Sequence, residues 1–336
     1  MAVVEQLELR ALDFSTTKPI SVFCGTWNVN AKSLPLKDTE VTFKEWLWPR
    51  ASSEPRADVY VIGLQEMVKL NLVNTVLSSS ASNAQAKKWI QLLQVALSYQ
   101  RGDALDSEGY SLIIESHMVG LFACVFVRNS LCGHCSDVRF RLTRTGCYGL
   151  TGNKGGLLFR MIVYDSPICF VVAHFHAHEH NVKKRNLDFN NIHKTGSFSS
   201  FCLTNVMKSI RSSPLPQDKK QKLMEEIYEN TELTLDTHEL IFWFGDLNYR
   251  ISGATTVEVF DAADAGYLDD IRNQDQLNIQ RASDVVFSGF EEGGLNFPPT
   301  YKFIPGIAIN FRSSSSSFFF FFSNDLWFKI LLPIPP

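Results

Sequence analysis

The chain has 336 residues, of which 45% are hydrophobic and 20% are charged, and its formal net charge at neutral pH is -3. This composition is typical of a globular protein and excludes intrinsic disorder and fibrous repeats. The slightly acidic charge excludes a global basic field for nucleic acid, so any recognition of phosphate must depend on a few local Lys and Arg side chains.

Short apolar runs rich in Val, Ile and Phe, bounded by Gly, Asn, Asp or Pro, predict buried strands. In chain order these runs are 20–24, 59–64, 119–127, 157–163, 168–173 and 240–244. Val138, Phe140 and Leu142 alternate with polar residues, which is typical of a half-exposed strand.

Helical patterns stand between these runs. An apolar stripe at helical spacing predicts one helix, and its members are Trp89, Leu92, Leu93, Ala96 and Leu97. A second stripe in a highly charged stretch predicts a surface helix, with Leu223, Met224, Ile227 and Tyr228. Strands interspersed with helices favour α/β layers in which helices cover the faces of the sheets.

The sequence after about Gly306 differs in character. Ser313 to Ser317 are followed by Phe318 to Phe322 and by an apolar end that closes in two prolines. This run has neither helical nor strand periodicity. It is either a divergent surface tail or, as we favour, a segment foreign to the domain that arose from altered splicing or a gene-model error.

The cysteines and the apolar segments favour an intracellular protein. Seven cysteines is an odd number and their spacing suggests no disulfide framework. Cys132 and Cys135 form a C-x-x-C pair, but no second ligand pair follows, so a zinc site is not expected. The sequence shows no signal peptide and no apolar run near the ~20 residues of a membrane span, so any membrane contact should be peripheral.

Four predicted strands end in a polar residue suited to catalysis: Asn28, Glu66, His174 and Asp246. Sites in open α/β folds gather at the carboxyl ends of strands, so we expect these side chains to share a crevice. An amide, two carboxylates and an imidazole suit a hard divalent metal and an activated water. Each residue alone has an ordinary alternative as a turn former, a solvated carboxylate or an exposed histidine.

The histidines at 174, 176, 178 and 180 alternate, which would place all four on one face of an extended segment, as in a metal cluster. Neutral imidazoles prefer softer metals than Mg²⁺, so this pattern predicts only that His174 contacts phosphate.

The segment from Trp243 to Arg250 carries the strongest chemical signal. Asp246 can take a proton from water, and Asn248 can hold the water or a phosphoryl oxygen. Arg250 offers a fork of donors that matches phosphate. A strand-turn stabilised by Asx hydrogen bonds is the alternative that this density of chemistry disfavours.

Two further segments are suited to phosphate. Thr151 to Gly156 is glycine-rich and includes Lys154, although a plain β-turn is the common alternative. Tyr301 and Lys302 follow a stiff Pro-Pro and place a phenol beside an ammonium group. That pair could bind a substrate phosphate or could begin an ordinary surface strand.

Taken together and in this order, these segments resemble the inositol polyphosphate 5-phosphatase family. The matching motifs are Gly25-Thr26-Trp27-Asn28-Val29-Asn30, Gly63-Leu64-Gln65-Glu66, Gly152-Asn153-Lys154-Gly155-Gly156, Gly245-Asp246-Leu247-Asn248-Tyr249-Arg250 and Pro299-Thr300-Tyr301-Lys302. The resemblance covers roughly residues 18 to 303. It divides the chain into an N-terminal extension (1–17), a catalytic domain (18–304) and an aberrant low-complexity tail (305–336).

The resemblance implies a fold and a set of roles. The fold is the DNase I-like four-layered sandwich, an α/β architecture of two packed mixed sheets flanked by helices, here with the last strands replaced by an unrelated tail. The roles follow the motifs: Glu66 and Asn28 hold Mg²⁺, Asp246 activates the attacking water, Asn248 and His174 stabilise the phosphoryl group, and substrate binding falls to Asn153, Lys154, His178, Arg250, Tyr301 and Lys302.

The resemblance also implies partners and a location. The expected ligand is a phosphoinositide or an inositol polyphosphate, with phosphatidylinositol 4,5-bisphosphate as an example, and no nucleic acid. We expect a cytoplasmic monomer that contacts membranes peripherally.

The chain departs from the family at its end. The family continues past Thr-Tyr-Lys with a Pro-x-Trp-Cys-Asp-Arg strand and a Ser-Asp-His-x-Pro strand, but here no Cys follows Cys202 and no His follows His238. We therefore expect a 5-phosphatase by ancestry whose activity is impaired. A binder of phosphoinositides without catalysis is the alternative, and a metal-dependent nuclease of the same superfamily is a weaker one.

Overall fold

The computed structural model describes residues 16–31, 46–47, 55–69, 79–98, 108–146, 149, 151–198, 210, 212–223, 233–293 and 331–333. Its strands are β1 (Val22–Asn28), β2 (Val59–Gln65), β3 (Tyr110–His117), β4 (Phe122–Arg128), β5 (Cys135–Gly146), β6 (Thr151–Val163), β7 (Ser166–His174), β8 (Ser197–Phe198), β9 (Leu233–Thr234), β10 (Leu240–Asp246), β11 (Phe290–Glu292) and β12 (Leu331–Pro333). Its helices are α1 (Ser79–Leu97), α2 (Asn129–Cys132), α3 (Val182–Thr195), α4 (Thr256–Asp264), α5 (Leu268–Asn273) and α6 (Gln276–Ala282), with a 3-10 turn at Leu235–Thr237.

Two mixed sheets form the centre of the molecule. The four-stranded sheet has the order β1-β2-β4-β3, and the six-stranded sheet has the order β11-β12-β10-β7-β6-β5. Strands β1 and β2 run parallel, as do β7 and β10, while their other neighbours run antiparallel. Each sheet therefore has one parallel pair whose carboxyl ends point the same way.

The inner faces of the two sheets pack against each other. Alternate residues of β2 and β4, such as Val61 and Val125, meet residues of β6 and β7, such as Phe159 and Val172, in one buried cluster. A side chain on Gly63 would overlap Val172, so the sheets approach closely at that point. The period of two in these strands assigns one set of apolar side chains to this inner core.

The outer faces are covered by helices. Trp89 and Leu93 of α1 pack on the four-stranded sheet, and Phe189 and Ile192 of α3 with Leu277 of α6 pack on the six-stranded sheet. The order helix, sheet, sheet, helix confirms the predicted four-layered α/β sandwich of two packed mixed sheets. Within the described helices, none is long and apolar enough to cross a membrane.

Most predicted strands are confirmed, with shifted ends. The run 20–24 becomes β1, which begins two residues later and continues to Asn28, and the run 119–127 becomes β4. The stripe that begins at Trp89 lies in α1. Residues 217–223 are helical, but Met224, Ile227 and Tyr228 of the second stripe lie outside the described residues.

The last described segment completes the six-stranded sheet. β12 lies antiparallel between β10 and β11, with Leu331 opposite Trp243 and Leu332 opposite Glu291. A short apolar segment from the end of the chain thus occupies this position in the sheet.

A buried histidine lies at the opposite end of β10 from Asp246 and predicts a pH effect on stability. His238 Nδ1 lies 2.9 Å from Leu235 O, and Arg160 Nη1 lies 2.8 Å from His238 Nε2. Burial lowers the pKa of His238, Arg160 lowers it further, and Leu235 O and Asp137 oppose the shift. As pH falls below the unfolded value of about 6.5, the unfolded chain gains a proton before the folded chain, so stability should fall.

His238→Gln should reduce this loss of stability on acidification. We expect the free energy of unfolding, measured with urea at pH 7.5 and 5.5, to change less in the variant than in the wild type. An equal change in both proteins would assign the pH effect to other groups.

Candidate active site

The parallel strand pairs of the two sheets end at the same place. β1 ends at Asn28, and Glu66 directly follows β2. In the other sheet, Asp246 at the end of β10 lies in register opposite His174 at the end of β7. The two sheets thus each deliver two of the four predicted side chains to one crevice, as the strand-end rule requires.

The amide of Asn28 joins the two carboxylates. Its Nδ2 donates to Glu66 Oε1 and to Asp246 Oδ2, at 3.0 Å in both cases. Its Oδ1 accepts from the backbone of Asn30 at 3.0 Å, which fixes the orientation of the amide. The side chain of Glu66 is 34% exposed and that of Asp246 25%, so both carboxylates remain open to a ligand from solvent.

His174 forms the floor of the crevice as a neutral imidazole. Its Nε2 lies 3.5 Å from Asp246 Oδ2 and 4.0 Å from Glu66 Oε1. Lys154 Nζ lies 2.5 Å from the same Nε2, and because an ammonium can only donate, Nε2 accepts this hydrogen bond. Burial and the positive charge of Lys154 lower the pKa of His174 to about 3.

Lys154 is itself buried beside the carboxylates. Burial lowers its pKa, while Asp246, Glu66 and Asp188 act in the opposite direction. The crevice therefore contains a cationic donor next to two acids, an arrangement that suits an anionic ligand bound with a cation.

Two backbone positions at the site are unusual. Glu66 has a φ of 55° and Asn248 a φ of 57°. Asn tolerates this left-handed region, whereas Glu rarely adopts it. Neighbouring hydrogen bonds hold Glu66 there, because Ala31 N donates to Glu66 O and Met67 N donates to Gly120 O at 3.0 Å.

Asn248 and Arg250 form a connected pair beside Asp246. Asn248 N donates to Asp246 Oδ1 at 3.2 Å, and Asn248 Nδ2 donates to Phe175 O at 3.1 Å. Arg250 Nη2 donates to Asn248 Oδ1 at 2.6 Å. The Asx-type contact and the placement near the acid thus occur together, so the two interpretations of this segment do not exclude each other.

The glycine-rich segment is part of a strand and not the plain β-turn that was its alternative interpretation. Residues 151–156 belong to the strand β6, which places Lys154 in the sheet next to His174. Gly155 has a φ of 145°, and a side chain there would overlap Thr143 O. The glycines therefore allow close strand pairing with β5. The side chain of Asn153 is held by Thr151, whose Oγ1 donates to Asn153 Oδ1 at 2.6 Å.

The four alternating histidines, at 174, 176, 178 and 180, do not lie on one face of an extended strand. The strand β7 ends at His174, and the following residues are irregular. His176 turns to Asp188 of α3, with Nδ1 2.8 Å from Oδ2. His178 is exposed, has a φ of 73° and stacks on His180, with the ring centroids 6.0 Å apart. The expected alternation of four histidines is therefore wrong beyond His174.

Sequence reasoning missed several buried polar residues that support the crevice. Arg185 of α3 is fully buried and its Nη1 donates to His178 O at 2.7 Å. Gln276 of α6 accepts from Arg250 N at 3.0 Å, and Gln65 Nε2 donates to Thr26 Oγ1 at 2.9 Å. A buried polar side chain gives no hydrophobic periodicity, so only the polar character of α3 could have drawn attention to Arg185.

Four residues that the sequence analysis singled out are not part of this crevice as described. Tyr301 and Lys302 lie outside the described residues. Cys132 and Cys135 are free thiols at the junction of α2 and β5, and Cys135 Sγ lies 3.5 Å from Leu131 O. Among the residues with described positions, no group of three or more His, Cys, Asp or Glu is arranged to hold a metal ion.

The donor set of the crevice fits a hard divalent cation. Mg²⁺ prefers oxygen ligands and keeps several waters, so one or two carboxylates together with substrate phosphate suffice to bind it. Glu66 supplies such a carboxylate, and the amide of Asn28 holds it beside Asp246.

Comparisons with known proteins show the family to which the chain is similar. The sequence model of the endonuclease/exonuclease/phosphatase family 2 matches residues 25–319. The chain is 30% identical over 311 residues to synaptojanin of Caenorhabditis elegans, covering 89% of this chain and 24% of that protein. It is 29% identical to type I inositol polyphosphate 5-phosphatase 8 of Arabidopsis thaliana, covering 84% of this chain and 58% of the relative.

A solved structure shares the same fold. The crystal structure of the inositol polyphosphate 5-phosphatase domain of SPsynaptojanin, in complex with inositol (1,4)-bisphosphate and a calcium ion, matches with a TM-score of 0.70 and 26% identity. The match covers 99% of this chain and 81% of that one. The chain thus spans most of a single solved domain but only 24% to 58% of the curated relatives named above.

Proposed function

Because the chain belongs to the endonuclease/exonuclease/phosphatase family 2 and its relatives include inositol polyphosphate 5-phosphatases, we propose that it hydrolyses the 5-phosphate of phosphoinositides or inositol polyphosphates. The observation that carries the proposal is the convergence of Glu66 and Asp246 on the amide of Asn28, beside His174. Two acids, a neutral imidazole and a buried ammonium around one opening suit hydrolysis of a phosphate ester.

Asp246 is the general base of the proposed reaction. Its carboxylate is hydrogen-bonded to Asn28 and to the backbone of Asn248, which fixes its orientation, and it stays partly exposed to solvent. It takes a proton from a water that attacks the phosphorus. Because the pKa of His174 is lowered, the imidazole stays neutral and does not compete with Asp246 for that proton.

The remaining groups bind and stabilise the phosphoryl group. Lys154 supplies positive charge next to His174, and Asn248 and Arg250 supply amide and guanidinium donors. Negative charge grows on the phosphoryl oxygens during the displacement, so donors fixed in advance lower the barrier. Asn153, His178, Tyr301 and Lys302 complete the proposed substrate contacts.

Glu66, supported by Asn28, is the proposed ligand for Mg²⁺. The bound ion would neutralise phosphate charge and supply Lewis-acid chemistry. The calcium in the solved 5-phosphatase domain supports a divalent cation as the partner of this crevice.

The direct test is release of phosphate from vesicles that contain phosphatidylinositol 4,5-bisphosphate and from soluble inositol 1,4,5-trisphosphate. We expect metal-dependent release from both substrates. Since the sequence has no His after His238, we expect turnover slower than that of a 5-phosphatase with the terminal Asp-His motif. Binding of headgroup without release would favour the non-catalytic alternative, and cleavage of DNA instead would favour a nuclease.

A metal titration tests the role of Glu66. Glu66→Gln should raise the Mg²⁺ concentration for half-maximal phosphate release by at least about tenfold, because a carboxylate ligand is replaced by a neutral amide. Glu291→Gln, which changes an exposed residue of β11, is the matched control and should leave the titration unchanged. Equal titrations for the Glu66 variant and the wild type would remove Glu66 from the metal site.

The proposal includes where the protein acts. A protein that turns over lipid headgroups must reach a membrane surface, so we propose a cytoplasmic monomer in peripheral contact with membranes. Co-sedimentation with vesicles containing the headgroup, compared with vesicles lacking it, tests this part.

A further inference from the structure

A histidine beside the proposed catalytic residues is paired with a buried carboxylate. His176 Nδ1 lies 2.8 Å from Asp188 Oδ2 and 3.0 Å from Asp188 Oδ1, and Asp188 is only 2% exposed. A carboxylate accepts hydrogen bonds and cannot donate them, so the Nδ1 position carries the hydrogen. Nε2 is then the ring nitrogen left for a ligand, and the side chain of His176 is 26% exposed. Nε2 donates a hydrogen bond only in the imidazolium form, in which both ring nitrogens carry a hydrogen.

The backbone of His176 is also fixed. Its N–H donates to Asp188 Oδ2 at 2.8 Å, and its carbonyl accepts from Arg185 Nη1 at 3.2 Å. Both partners belong to α3, and Arg185 is fully buried. The ring is therefore oriented before any ligand arrives, which reduces the entropy lost on binding.

His176 lies next to the proposed catalytic residues. The residue before it, Phe175, donates its N–H to Asp246 O at 3.0 Å and accepts from Asn248 Nδ2 at 3.1 Å. Two residues of chain span at most about 7 Å, so the backbone of His176 lies within that distance of His174. His176 also lowers the pKa of His174, as expected for a neighbouring ring.

We propose that His176 is a substrate-binding residue: as an imidazolium paired with Asp188, it donates its Nε2–H to a phosphate of the substrate other than the one that is cleaved, and Asp188 is its positioning residue. This inference rests on the proposed function. In the proposed function the cleaved phosphate lies among Asp246, His174 and Lys154, and His176 follows two residues after His174. A substrate with several phosphates on one ring presents a second anion there.

The ordinary alternative is that the pair only fastens the loop after β7 to α3. That role would need the Nδ1 contact and the backbone contacts but not the Nε2 edge. Binding measurements separate the two roles, because a purely structural pair affects stability and leaves ligand affinity per folded molecule unchanged.

The first experiment measures the binding of inositol 1,4-bisphosphate by calorimetry in the presence of Ca²⁺. This ligand lacks a 5-phosphate, so the measurement does not depend on turnover. His176→Ala should weaken binding about tenfold, as expected for the loss of a hydrogen bond to a charged group. His180→Ala, which removes an exposed histidine of the same segment, is the control and should bind within about twofold of the wild type.

Each outcome of this experiment decides something. Equal binding by the wild type and the His176 variant would overturn the inference and leave the proposed function intact. Loss of affinity in the His180 control equal to that in the His176 variant would also overturn it, because a general loss of positive charge would then explain both. A wild type that does not bind the ligand would contradict the proposed function and this inference together.

A double-mutant cycle tests the positioning role of Asp188. Asp188→Asn should weaken binding, and the double variant with His176→Ala should bind no more weakly than His176→Ala alone, because Asp188 acts through the ring. Additive losses would show that Asp188 acts on another group. Thermal unfolding identifies variants that fail to fold, and if Asp188→Asn is one of them, the His176 comparison alone decides the inference.

Discussion

Asp246→Asn should lower the rate of phosphate release at least about 100-fold while the protein stays folded and binds inositol phosphate. An amide cannot accept the proton from water, and loss of a general base costs ~10² to 10⁴ in rate. Asn is close in size to Asp, and its one carbonyl oxygen can still accept from the backbone of Asn248, so packing at the end of β10 should survive although the hydrogen bond from Asn28 Nδ2 is lost.

The measurement combines initial rates with calorimetric binding on one preparation. Asp269→Asn changes an exposed acid of α5 and serves as the matched control. A variant at Asp246 that retains more than about a tenth of the wild-type rate would assign the base to another residue, because no remaining group at that position could remove the proton.

Gly245→Ala should destabilise the protein by at least about 3 kcal/mol, because it combines backbone strain with a steric overlap. Gly245 has a φ of 138°, which residues with a side chain rarely adopt, and a side chain there would overlap the carbonyl oxygen of Ala173 on the paired strand β7. The overlap would separate β10 from β7 directly before Asp246 and His174, so the proposed site would be lost with the fold.

Gly253→Ala is the matched control for this change. Gly253 also has a positive φ, of 76°, but a side chain added there meets no atom within 4 Å. Only the conformational cost of about 1 kcal/mol should remain. Urea unfolding of both variants measures the difference, and similar losses of stability would show that the contact with Ala173 O does not determine the effect.

The sequence predicts the layered fold well because the strands have a simple physical signal. The buried runs at 59–64 and 168–173 become β2 and β7 with small extensions. The helix α3 has no such signal, because it buries Arg185 and Asp188 beside its apolar residues Phe189 and Ile192. A buried charge that is satisfied by hydrogen bonds leaves no trace in a hydrophobic pattern.

The candidate site was predictable where strands define it and not where loops do. Asn28, Glu66, His174 and Asp246 come together because each stands at the end of a parallel strand. The arrangement of His176 depends on a loop that follows β7, and no strand periodicity applies there. The glycines around Lys154 left a plain β-turn open as an alternative, because close pairing of two strands needs the same residue type as a turn does.

The hydrogen bond between Asn28 and Asp246 joins residues 218 positions apart in the chain. Bringing such distant segments together costs more loop-closure entropy than forming contacts between strands of one sheet that are closer in sequence. A chain in which only one of the two sheets has formed cannot contain this contact. Catalytic competence should therefore be acquired late during folding, after the sheets have docked, and an assay of activity would report the completed fold and not its intermediates.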